Sequence, residues 1–208
     1  MDRRIILLRH GETEFNTARR MQGHLDTALS ERGRQQAHNV AQLLKQYPIQ
    51  RIISSDLQRA AHTAQAVSAV IDVPITYDER LRETHLGEWQ GKHHWEVDTD
   101  FPGARAIWRH APSWSPPGGE SRLDVARRAL PVVKEQFMDW ESGDILFVAH
   151  GGTISALTST LLGFAEEQYP LLSGLGNACW SQLTVRSALD GPGVQWYLDG
   201  WNVGVRIP

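Results

Sequence analysis

Arg9-His10-Gly11 stands directly after the aliphatic run Ile5-Ile6-Leu7-Leu8. Arginine presents a planar fork of donors that matches phosphate oxygens, and histidine a nucleophilic nitrogen that titrates near neutrality. Gly11 lets the backbone come close to a ligand. Asn16, six residues after His10, is near enough to return its amide to a phosphate oxygen. Alone, an Arg-His pair also reads as a strand end carrying a solvated charge. Val148-Ala149-His150-Gly151-Gly152 repeats the strand–His–Gly arrangement late in the chain. A helix beginning after Gly152 offers unpaired N–H groups suited to an anion. One histidine at a strand end is often structural, whereas two of them, each followed by glycine, point to one shared anionic ligand.

Other segments remain open on their residues alone. Ser54-Ser55-Asp56-Leu57-Gln58-Arg59 puts Arg59 in the first turn of a helix, either over the same strand ends or on the surface. Glu83, in Leu81-Arg82-Glu83-Thr84, is an ion-pair partner for neighbouring arginines or a proton donor to a leaving oxygen. The single cysteine, Cys179, reads as a small buried apolar residue. His93-His94 lacks zinc-ligand spacing, and no metal site is expected.

The elements that must carry these residues follow from hydrophobic pattern and punctuation. Residues 4–8 and 144–149 read as buried strands, each delivering a histidine at its carboxyl end. Residues 51–54 and 74–77 read as further strands, and two more lie near 178–185 and 194–198. One long helix opens at Ser30-Glu31 and ends near Pro48, a second runs from an N-cap at Asp56, and a third spans 120–140. Residues 101–119, with Pro102, Pro112, Pro116 and Pro117, read as a long loop. This alternation predicts an α/β fold, a three-layer α/β/α sandwich with a largely parallel central sheet. Reactive groups in such folds gather at the carboxyl ends of strands. Residues 1–208 are read as a single domain with a loop-rich insertion at about 92–119 covering the site.

Bulk properties narrow the partners. The chain has 208 residues, 41% of them hydrophobic and 22% charged, as in an ordinary globular protein. A net charge of −3 argues against a general nucleic-acid or membrane-surface binder. The aliphatic run at 5–8 is too short for a signal-peptide core or a membrane span, so a cytoplasmic protein is expected. Four of the eight tryptophans, Trp89, Trp95, Trp108 and Trp114, crowd around the long loop. Their faces suit sugar rings and equally suit core or subunit packing.

Taken together, the motifs resemble the histidine phosphatase superfamily, also called phosphoglycerate mutase-like, over nearly the whole chain. The resemblance is carried by Leu8-Arg9-His10-Gly11-Glu12-Thr13-Glu14-Phe15-Asn16, by Gln22-Gly23, by Ser54 to Arg59, by Leu81-Arg82-Glu83 and by Ala149-His150-Gly151-Gly152. It implies a phosphoglycerate mutase-like fold and catalysis by His10, Glu83, Arg9, Arg59 and His150. His10 attacks phosphorus and holds the phosphoryl group. Arg9, Arg59 and His150 stabilise the non-bridging oxygens, and Glu83 handles the proton of the leaving alcohol. Substrate contacts are implied for Asn16, Gln22, Gly23 and the backbone N–H of Gly151, and expected for Thr84, His85 and Leu86. No metal and no cofactor are implied; the partners are a small phosphorylated metabolite and a second copy of the chain, as a homodimer. Mutases and phosphatases share this core. The run Arg80 to Gly91 resembles the phosphatase branch, and the longer mutase insertions are absent. A narrower resemblance, to phosphatases acting on a glycosylated phosphoglycerate, rests on Met21-Gln22-Gly23, Gly118-Gly119-Glu120-Ser121-Arg122 and Gly176-Asn177-Ala178 with Trp180. A mutase or a broad sugar-phosphate phosphatase stands as the alternative.

Overall fold

The computed structural model describes residues 3–137, 140, 142–187 and 193–204. Its strands are β1 (Arg3–Arg9), β2 (Ile49–Ser54), β3 (Ile75–Tyr77), β4 (Asp144–Ala149), β5 (Trp180–Ser187) and β6 (Val194–Val203). They form one six-stranded sheet in the order β3-β2-β4-β1-β5-β6. Strands β3, β2, β4 and β1 pair in parallel, while β5 runs antiparallel to β1 and β6 antiparallel to β5. The helices are α1 (Glu14–Thr17), α2 (Glu31–Leu44), α3 (Gln58–Ile71), α4 (His94–Asp100), α5 (Ala104–His110), α6 (Arg122–Glu135) and α7 (Gly151–Leu161).

The aliphatic run of β1 is continuous because both faces of the strand are covered. Ile5 and Leu7 share a core with Val132 and Val133 of α6 and Ile154 and Leu157 of α7. Ile6 and Leu8 pack on the opposite face with Val40 and Leu44 of α2 and Ala60 and Val67 of α3. The expected three layers and mainly parallel centre are therefore present.

Several expected boundaries are corrected. Asp56 is not the cap of α3: the cap position is Leu57, and the Asp56 carboxylate is spent on Arg82. The third helix is shorter than 120–140. It starts at Arg122 because Ser121 and Asp124 form a reciprocal capping box, and it ends at Glu135. The expected end of that helix falls partly on 138 and 139, outside the described residues. The stretch 101–119 is not a continuous loop, since it contains α5, with α4 immediately before it. Phe101, Trp108 and Trp114 surround the fully buried Trp89, and that cluster holds two short helices that the prolines and glycines masked.

Candidate active site

Adjacent parallel strands set the first distance. Arg9 of β1 is in register with Ala149 of β4, so both chains leave the sheet side by side. The amide of His10 then donates to the carbonyl of Ala149 (3.1 Å), and the two rings lie with centroids 5.2 Å apart. On the other flank of β4, Ser55 N donates to Val148 O at 2.9 Å, which brings the Ser54–Arg59 segment to the same edge. Gly11 serves a close approach of backbone to backbone, not to a ligand as expected. A Cβ there would stand 2.4 Å from the carbonyl oxygen of Gly33.

His10 is 2% exposed, and its Nδ1 lies 2.6 Å from the carbonyl oxygen of Gly11. A carbonyl only accepts, so the proton sits on Nδ1 and Nε2 keeps the lone pair. Burial, and then the charges of Arg59 and Arg9, hold the ring well below the usual histidine range. The ring is accordingly neutral and nucleophilic at neutral pH. His150 is wholly buried and is held low by burial first, then by Arg59, His10 and Arg9. Its Nε2 lies 2.9 Å from Ser55 Oγ, while its Nδ1 has no hydrogen-bond partner among the described residues. Ser55 Oγ already accepts from Leu57 N at 3.3 Å, so its own proton can serve His150 Nε2, which leaves the ring proton on Nδ1.

Arg59 is fully buried, which excludes the surface reading. Its guanidinium donates to the carbonyls of Leu25 (2.7 Å) and Gly23 (2.8 Å), and burial lowers it to about 10 despite the opposing charges of Glu83 and Asp26. Arg9 donates to the carbonyl of Leu175 and is likewise lowered by burial, with Glu83 and then Cys179 opposing the shift. Neither Nε has a partner among the described residues. Two buried guanidinium groups without a carboxylate bonded to either make a strongly anion-seeking centre. Asn16 closes a capping box on α1: its Oδ1 accepts from Thr13 N and Asn177 Nδ2, both at 3.1 Å. That orientation leaves the amide NH₂ as the end able to donate elsewhere.

Glu83 is fixed by the N-terminus of α7. Its Oε2 accepts from Gly152 N at 3.1 Å and its Oε1 from Thr84 N at 2.8 Å. A carboxylate suits that end of a helix. Arg82 does not join the site, because it faces Asp56 and Glu79. Arg128 holds the acidic segment from behind, donating to the carbonyls of Arg80, Arg82 and Glu83 at 2.7–2.9 Å.

A cavity of about 170 Å³ gathers Arg9, His10, Asn16, Gln22, Gly23, Arg59, Glu83, Thr84 and Leu86. Gln22 is anchored there by the hydroxyls of Thr13 and Thr27, which donate to its Oε1. A neighbouring chamber of about 490 Å³ shares Arg9, Glu83, Trp108 and Gly152 with the first and adds Gly151 to its wall. His150 is fully buried and lines neither cavity, its ring 5.2 Å from that of His10. His85 departs from expectation: it lines neither cavity, its Nδ1 accepts from Gly87 N (3.3 Å) and its ring meets the edge of His24. Of the four tryptophans, Trp108 alone lines these cavities. Trp89 and Trp114 pack together, and Trp95 stacks on His93. Sequence reasoning missed Arg20 and His94 in the first cavity and gave Arg122, in the second, no role, while Trp108 was one of the four tryptophans it had set beside the site. Arg122 lies in the Gly-Gly-Glu-Ser-Arg string, the one signal that could have singled it out.

The profile of the Histidine phosphatase superfamily (branch 1) matches residues 5–199. The chain belongs to that superfamily. This histidine phosphatase is 48% identical to a glucosyl-3-phosphoglycerate phosphatase of Mycolicibacterium vanbaalenii, over 99% of this chain and 96% of that one. It is 45% identical to a protein of the same name from Mycobacterium tuberculosis, over 99% and 96% of the two chains. A solved structure of mycobacterial glucosyl-3-phosphoglycerate phosphatase with VO3 superposes with a TM-score of 0.92 at 45% identity, covering 97% of this chain and all of that one.

Proposed function

We propose that this histidine phosphatase hydrolyses glucosyl-3-phosphoglycerate to glucosylglycerate and phosphate through a phosphohistidine at His10. What carries the reading is the site itself: a neutral, buried His10 with Nε2 unprotonated, in one cavity with Arg9 and Arg59 and beside the ring of His150. Identity of 45–48%, over nearly the full length, to chains bearing that name supports the substrate.

His10 Nε2 attacks phosphorus in line, forming the N–P bond as the bond to the ester oxygen breaks. Arg9, Arg59 and His150 Nδ1–H donate to the non-bridging oxygens, joined by the Asn16 amide and the Gly151 N–H. Glu83 passes a proton to the leaving alkoxide, then takes one from the water that attacks the phosphohistidine. Phosphate leaves and His10 returns to its neutral state. Gln22 and Gly23 hold the Asn16 and Arg59 side of the pocket, and Thr84 and Leu86 face the leaving group. The buried cations supply the charge stabilisation that a metal would, so turnover persists in excess chelator. Residues 1–208 act as one catalytic unit, with 92–119 covering the site. A homodimer and a cytoplasmic setting complete the reading.

Purified protein should release phosphate from glucosyl-3-phosphoglycerate faster than it makes 2-phosphoglycerate from 3-phosphoglycerate with 2,3-bisphosphoglycerate. The reverse order would make it a mutase.

A further inference from the structure

The chamber beside the phosphate pocket holds a half-buried arginine that no carboxylate pairs among the described residues. Elsewhere on the chain many arginines are paired, Arg80 with Asp78 and Glu135, Arg82 with Asp56, Arg105 with Asp98, Arg127 with Asp124 and Arg128 with Glu120, whereas the chamber is lined by Arg9, Arg109 and Arg122. Arg122 lines the chamber, and no carboxylate lies within ion-pair distance of it among the described residues. Its contact is with Trp108, whose ring centroid is 5.6 Å from the guanidinium carbon. Trp108 spans both cavities, so the stacked guanidinium is held at their junction. Burial lowers Arg122, and the charge that opposes this is Glu83, the sole acidic residue lining the chamber. Arg109 and His110 add basic groups on the exposed rim.

We propose that Arg122, backed by Trp108, docks the carboxylate of a phosphoglycerate ester in this chamber while the phosphoryl group sits against His10. The assignment rests on the substrate class proposed above and names the residue that selects it. Such an ester carries two anions a few bonds apart. The first is met by Arg9 and Arg59, and the second must lie beside Glu83, which would repel it unless a cation intervened. A half-buried, planar guanidinium with free donors answers that need better than a flexible lysine would.

The test compares 3-phosphoglycerate with glycerol 3-phosphate, which has a hydroxymethyl group where the former has its carboxylate. Each is titrated as an inhibitor of p-nitrophenyl phosphate hydrolysis. The wild-type protein should bind the carboxylate-bearing ester roughly ten- to a hundredfold more tightly, the range for one charge-assisted hydrogen-bonded contact. Arg122→Gln should bring the ratio of the two inhibition constants to within about threefold of unity. Arg122→Met, whose long apolar stem still covers Trp108, should do the same, and Arg122→Lys should retain part of the preference. The ratio is independent of the folded fraction of a variant. A wild-type ratio near one, or variants that keep the wild-type ratio, would overturn the assignment. Neither result depends on the glucosyl group: failure to hydrolyse glucosyl-3-phosphoglycerate with the ratio intact would refute the substrate and leave Arg122 in its role.

Discussion

Gly152→Ala should damage catalysis without damaging the fold. Gly152 is the second residue of α7, and its backbone is not in the left-handed region, so alanine is conformationally acceptable there. An added Cβ would stand 2.5 Å from Glu83 Oε1 and 2.6 Å from Thr84 Oγ1. Ordinary contact needs about 3.4 Å, so the carboxylate must retreat by roughly 0.9 Å. The nearest obstructing atom ends the long Glu83 side chain, which yields more readily than the helix or the buried, β-branched Thr84. Alanine in place of glycine within a helix contributes about 0.5–1 kcal/mol, which offsets the lost contact and leaves the melting temperature nearly unchanged. A misplacement near 1 Å of a group that must meet the leaving oxygen costs on the order of a hundredfold in rate. The loss should fall on alkyl phosphates, whose leaving oxygen needs a proton, and spare p-nitrophenyl phosphate, whose leaving phenolate does not. Steady-state kinetics on both esters and a thermal melt test this. Equal losses on the two esters, or wild-type rates on both, would refute the placement of Glu83 as proton donor.

Stability should fall as pH drops below about 6.5. Burial keeps His10 and His150 neutral in the folded chain, whereas both take a proton when unfolded. The unfolded state then binds more protons, so each histidine removes up to about 1.4 kcal/mol per pH unit, from near pH 6.5 down to its folded value. Melts at pH 7.5 and 5.5 read this, and His150→Gln, which cannot charge, should flatten the slope. Arg128→Ala should cost roughly 1–3 kcal/mol, since it strips donors from three part-buried carbonyls. It should also lower kcat on alkyl esters by loosening the Glu83 segment. Arg128→Lys should rescue neither, because one ammonium cannot replace the fork; full rescue would contradict the positioning role.

The parts legible in the sequence share one physical origin. Strands β1 and β4 are buried on both faces, so each appears as an unbroken apolar run, the first stopping at Arg9-His10 and the second at His150. Adjacency of the two was not legible, because it depends on β4 inserting between β1 and β2. Helices α4 and α5, of seven residues each, are too short to display a period. The Trp89 cluster holds them, and its composition alone read as loop. His85 was misplaced because its chain neighbours face the site while its own ring is drawn to His24 and Gly87. Arg122 stood in the sequence only as the end of the Gly118–Arg122 motif, with no role attached. A chain with 21 basic residues gives no sign of which ones lack a carboxylate until the pairs are seen.

The central claim is that turnover passes through a phosphoryl group on His10 Nε2. Protein mixed with substrate, quenched in base within milliseconds and digested should yield a peptide carrying one added phosphoryl group on His10. His10→Ala should yield none and lose turnover. Phosphate on another residue, or hydrolysis that survives His10→Ala, would contradict the account.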